Sequence, residues 1–211
     1  SPPLFFALKR MALDRRGLRA FPGVSFAKLL GCGKGETFTP RDADTKRWGF
    51  IAVIDDAQIG ALDSSSLVKR WRSKSQAEFR VVLDPISTHG KWSSQDPFEL
   101  SSNLNSTGQV VAITRARIKW SQTLRFFRSV PPVTQSLRAS KGLISAIGIG
   151  EAPIGLQGTF SLWESAADLR EFAYKGAAHK GAISDTEKYK WYAEELFARF
   201  SVREIRGSIT R

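Results

Sequence analysis

Among 211 residues there is one cysteine, one methionine and two histidines. No apolar run approaches the ~18 residues that cross a bilayer. The lone Cys32 excludes an internal disulfide framework and any cysteine-based zinc site, and it fits a reducing, cytoplasmic compartment. The N-terminal PPLFFAL is too short for a secretory core and runs at once into Lys9, Arg10, Arg15 and Arg16. The two histidines show neither His-x-Glu nor His-Glu-x-x-His spacing, so no protein-only metal centre is expected, and no Gly-x-Ser-x-Gly elbow supports a serine nucleophile. Acidic residues number 20 against 32 basic ones, a net charge of +12. Nucleic acid, an anionic membrane surface, an acidic protein partner or a merely soluble basic surface all suit that balance.

What is present is a chain with 42% hydrophobic residues, enough for one large core or two fused small ones. Residues 1–10 suit an extended segment, and Met11–Phe21 a short helix interrupted near Gly17. Val24–Leu30 reads as a strand running into a glycine loop, Gly31-Cys32-Gly33-Lys34-Gly35. That loop matches neither the Walker pattern nor G-x-G-x-x-G, so its glycines are read as serving a turn. Arg41–Lys46 is a polar loop, Trp48–Ile54 and Phe79–Ile86 are strands, and Leu62–Trp71 is helix-like. The basic run around Trp71 reads as a solvated face with one packed tryptophan rather than a nucleic-acid site. A polar excursion, Ser87–Gly108, embeds Trp92 and Phe98, as a lid, a pocket wall or a plain connector would.

Further on, Gln109–Trp120 is a strand whose alternation sends Arg115, Arg117 and Lys119 to one face. Thr123–Val130 is a helix that Pro131-Pro132 should stop. Leu143–Ile149 and Gly158–Trp163 are strands, the first turning at Gly148-Ile149-Gly150. Ser165 and Asp168 form a capping box that opens a helix through Tyr174. Asp185–Phe200 suits a second helix, with Tyr192, Leu196 and Phe200 four apart, before a last strand Ser201–Ile205.

The two halves echo each other. FAKLLGCG (26–33) and LISAIGIG (143–150) both close in Gly-x-Gly, and strand, helix and strand follow each. The second half reads β-α-β-β-α-β, the ferredoxin-like order, and the first does too if residues 4–10 supply its opening strand. The expected fold is therefore α+β: two fused ferredoxin-like modules with antiparallel sheets, residues 1–108 and 109–211, packed as one domain. The halves differ at Gly176 to about Lys190, an insertion that carries His179. A neutral imidazole flanked by small residues can ligate haem iron, although a histidine that caps or packs a helix is the commoner occurrence. His89, in THGKW, reads as a surface residue.

Five blocks resemble the spheroidene monooxygenase family of carotenoid oxygenases: FAKLLGCGKGETFTP (26–40), ISTHGKWSSQDPF (86–98), ITRARIKW (113–120), SAIGIGEAPIGLQGTFSLW (145–163) and AAHKGAISDTEKYKWYAEELFARF (177–200). The resemblance implies a haem b-dependent monooxygenase of the dimeric α+β barrel type, in which O2 and electrons from a ferredoxin-type donor oxidise a lipophilic polyene. It implies His179 as proximal iron ligand and argues against Cys32. On that reading Lys28, Arg115 and Arg117 are candidates for the haem propionates, and Trp92, Phe98 and Phe160 for a substrate wall. The basic surface would meet an acidic donor or the surface of an anionic membrane, with no nucleic acid involved, and a homodimer is compatible. Rival expectations are a haem sensor without turnover and a cofactor-free barrel monooxygenase.

Overall fold

The computed structural model describes residues 4–34, 39–102, 108–151, 156–175 and 191–209. The chain opens with helix α1 (Leu4–Arg19), not with an extended segment. The reason is local: LFFALKRMALDRR holds no β-branched residue, and Leu, Ala, Met, Lys and Arg favour helix. Gly17 lies on the exposed side and does not interrupt it. Strands β1 (Val24–Gly33) and β2 (Ala43–Ile54) follow, so part of the expected glycine loop and polar loop is sheet. The single expected helix after β2 is two short ones, α2 (Ile59–Asp63) and α3 (Ser66–Arg72). Ser65 splits them by capping α3, its Oγ accepting from the Val68 N–H at 3.3 Å.

Strand β3 (Arg80–Gly90) ends where Gly90 takes φ +92°, and β4 (Val110–Ile118) follows the aromatic loop. Helix α4 (Thr123–Arg138) runs through Pro131 and Pro132. Both prolines face solvent, where water can satisfy the carbonyls they leave unbonded, while Val130 and Thr134 stay buried. Then come β5 (Leu143–Gly150), β6 (Leu156–Trp163), α5 (Ala166–Lys175) and β7 (Tyr192–Arg206). Ser165 caps α5 as expected, its Oγ accepting from the Asp168 N–H at 3.2 Å, while Asp168 reaches back to the Ser165 hydroxyl, which donates to it at 2.5 Å.

The largest correction is β7. From Tyr192 on, the expected helix is strand; residues 185–190 lie outside the described residues. A four-residue spacing serves both periods, since Tyr192, Leu196 and Phe200 also share one face of a strand.

All strands join one antiparallel sheet in the order β2-β1-β5-β6-β4-β7-β3. Within it β5-β6-β4-β7 is the ferredoxin-like module of the second half. The first half contributes β1, β2 and β3, and among the described residues no strand takes the place between β2 and β3 that β4 takes between β6 and β7. The residues expected to supply it, 4–10, are helical. The two modules join through equivalent strands. Gly31 pairs with Gly150 and Gly33 with Gly148, so the two Gly-x-Gly repeats meet as strand pairs, not turns; the last strands, β3 and β7, pair likewise.

One face of the sheet carries the main core, with Phe26, Leu30, Val111, Ile113, Ile149, Leu196 and Phe200. Helices α1–α3 cover the other face through Leu18, Ala27, Leu62 and Val68, and α5 packs against Trp163 and Val110.

Candidate functional site

Strand alternation places a charge in each of four inner rows. On β1 Lys28 sits between Phe26 and Leu30; on β4 Arg115 follows Val111 and Ile113; just past the end of β5 Glu151 continues the row of Ile147 and Ile149; on β7 Glu194 precedes Leu196 and Ala198. Pairing β1 to β5 and β4 to β7 brings the four together. Lys28 Nζ lies 2.9 Å from Glu151 Oε2 and donates to Ser93 Oγ at 2.5 Å. Arg115 bridges both acids, with Nη2 donating to Glu151 Oε1 at 3.1 Å and Nη1 to Glu194. Arg115 is only 3% exposed, so this pairing is what makes its burial tolerable.

The loop after β3 locks onto the cluster. Trp92 is buried, donates from Nε1 to Glu151 Oε1 at 2.7 Å, and stacks edge-on with Phe26 at 5.6 Å. Ser93 and Ser94 both have positive φ, 56° and 63°, which turns their successive N–H groups onto one anion. They donate to Glu194 at 2.9 and 2.6 Å. Phe98 is buried against Phe200, with ring centroids 5.0 Å apart.

Burial pushes the Glu151 carboxyl up, but hydrogen bonds from Lys28 and Trp92 and the charges of Lys28 and Arg115 outweigh it and hold it below its ordinary value. Glu194 is likewise raised by burial and brought below its ordinary value by the Ser94 and Ser93 N–H groups and Arg115. Both acids are thus anions at neutral pH, unsuited to donating a proton. Arg115 Nε has no hydrogen-bond partner, and the gap bounded by Leu30, Trp92, Ile149 and Gly150 has no room for a water. A wider cleft of about 380 Å3 opens beside the cluster and shares Lys28 and Ser93 with it, lined also by Arg15, Arg19, Phe26 and Gln95.

The sequence candidates separate accordingly. Lys28 and Arg115 come together, each already neutralised by a carboxylate. Arg117 is half exposed, 3.7 Å from Glu194. Trp92 and Phe98 are core residues, whereas Phe160 is partly exposed on the inner face, edge-on to Phe79 at 6.0 Å. His179 lies outside the described residues. His89 is exposed on β3. Burial pushes the Cys32 thiol up to about 12, against the pull of Arg47 and with a further push from Asp44, so it stays protonated at neutral pH. Trp71 is packed on Phe6 and donates to the buried Asp14 at 3.0 Å, which also accepts from Arg70 at 3.1 Å; this part of the basic run is structural. Among the described residues no group of three metal-ligating side chains converges.

Sequence reasoning missed Glu151 and Glu194. The signal for Glu151 was the alternation Ile147-Ile149-Glu151; Glu194 was hidden by reading its strand as helix.

A duplicated ferredoxin-like α+β protein, with an apolar inner face closed at one end by a buried ion network, is the class that fold and site define. The chain is 35% identical to spheroidene monooxygenase of Rhodobacter capsulatus over 96% of this chain and 86% of that one. It is 32% identical to the enzyme of that name from Cereibacter sphaeroides over 93% of this chain, spanning 61% of that relative, and 34% identical to that of Rubrivivax gelatinosus over 88% of this chain and 72% of that one. The chain belongs to the spheroidene monooxygenase family. No family model matches it. Among solved structures, one from Fusobacterium nucleatum aligns at 12% identity and a TM-score of 0.46, over 96% of this chain and 86% of that one, a likeness too loose to add to the assignment.

Proposed function

We propose that the protein is a monooxygenase that transfers oxygen from O2 to a carotenoid-like substrate. The observation that carries this reading, beside the family, is the inner face. Its residues Ile51, Val53, Phe79, Leu83, Ile147 and Phe160 remain only partly buried against the core, apolar side chains of the kind a long lipophilic molecule packs on. Such a surface binds without polar specificity and excludes water from the reacting carbon, while the ion network fixes Trp92 and its loop across one end.

Haem with His179 as iron ligand remains the cofactor we favour. The described residues fit it only in part. Lys28 and Arg115 are committed to Glu151 and Glu194, so a propionate on either would displace a buried carboxylate at a cost of several kcal/mol. Arg117 is the cation left accessible to an acidic group. Bound haem would supply the O2-activating redox chemistry, and the electrons would come from a ferredoxin-type donor whose acidic surface the net charge of +12 would attract.

The test is the visible absorption spectrum after haem supplementation, wild type beside His179→Ala. A strong Soret band that is lost or displaced in the variant is expected. A wild type that takes up no haem overturns the cofactor, and identical spectra overturn the ligand. Oxygen transfer to a carotenoid, measured with a reduced ferredoxin as donor, tests the activity itself.

A further inference from the structure

Helix α1 carries a solvent face unlike that of an ordinary surface helix. Its underside is fixed: Ala7 and Leu18 are buried, Met11 packs beside them, and Asp14 is turned inward to Arg70 and Trp71. Asp14 is the only acid on the helix, so the outer side has none. What it exposes instead is apolar at the start, with Phe5 79% exposed, Leu8 54%, Leu4 46% and Leu13 56%. Beside these stand Lys9, Arg15 and Arg16, also exposed, and none of the three meets a carboxylate among the described residues.

Helices on a protein surface normally mix both charge signs with neutral polar groups there. Exposed large apolar side chains among unpaired cations are the composition of helices that lie in a membrane interface. We propose that α1 docks the protein on an anionic lipid surface, with Phe5, Leu4 and Leu8 entering the headgroup boundary and Lys9, Arg15 and Arg16 meeting lipid phosphates. A nucleic acid would be served by the cations alone and would leave Phe5 exposed, whereas a lipid surface offers both the anionic layer and the apolar one behind it; an acidic protein that also covers Phe5 is the alternative the vesicles separate. The inference goes beyond the proposed reaction, since it concerns where the protein sits and holds whatever the sheet's inner face binds.

Vesicle flotation tests it with the whole chain, using phosphatidylcholine alone and with about 30% phosphatidylglycerol. Wild type is expected to float with the anionic vesicles and to remain in solution with neutral ones. Phe5→Ser with Leu8→Ser, both exposed and outside the core, should lower the partition about tenfold or more. Arg15→Gln with Arg16→Gln should lower it by about fivefold per cation removed. Unchanged thermal unfolding midpoints confirm that the variants fold. Wild type remaining in solution with anionic vesicles overturns the proposal and leaves the face to an acidic protein partner. A serine double variant that floats like wild type also overturns it, because adsorption would then be general to the basic surface.

Discussion

Glu151 accepts from Lys28, Arg115 and Trp92, and so ties β1, β4 and the loop after β3 to the end of β5 at one point. Replacing it with Gln removes the anion from between two buried cations. We expect Glu151→Gln to lower stability by roughly 3–5 kcal/mol, read by urea unfolding. The pH dependence has a definite sign. The folded protein holds Glu151 and Glu194 below their ordinary carboxylate value of 4.5, so the stabilisation is complete above that pH and is lost as pH falls through the depressed folded values. Unfolding free energy should therefore be insensitive to these groups near neutrality and fall below about pH 4.5, less steeply in Glu151→Gln; equal acid slopes in the two proteins would exclude this role. At this scale the sequence was half legible. Alternation put Arg115 on one face with Arg117 and Lys119, yet nothing in ITRARIKW shows that this face turns inward or that its partners come from residues 151 and 194, because that depends on which strands pair.

Between elements, legibility followed the strength of the local signal. The Ser165–Asp168 pair fixed the start of α5 because both of its bonds are made within four residues. For β7 no local feature separated helix from strand, and the sheet decided it: β7 lies between β4 and β3, paired along both sides. A prolines-stop rule failed at α4 because the prolines face water while their neighbours pack. Close approach of β4 and β6 sets a further requirement. A Cβ on Gly158 would meet the carbonyl oxygen of Thr114, which is backbone and cannot swing away. Gly158→Ala should destabilise by about 1–3 kcal/mol, the cost of overpacking, measured as a shift in the denaturant midpoint. A variant as stable as wild type would show that the two strands part easily, against the continuous β4–β6 pairing from Val110 to Arg117.

For the whole molecule, the Gly-x-Gly echo announced a duplication, and the structure shows how its copies are joined: at two seams, β1 to β5 and β3 to β7, each between equivalent strands. A chain crossed by two seams, with one core running from Phe26 on β1 through Ile149 on β5 to Phe200 on β7, has no internal boundary at which half of it can unfold alone. Losing the first module would uncover Leu196, Ala198 and Phe200 and strip Glu151 of Lys28, so the second would not stand unaided. Unfolding should accordingly be a single cooperative transition. Hydrogen exchange followed on β1 in the first module and on β4 and β6 in the second should give one common opening free energy for their slowest amides. Two separated values, or denaturant transitions by fluorescence and circular dichroism that fail to coincide, would show instead that the seams are contacts between two independent folding units.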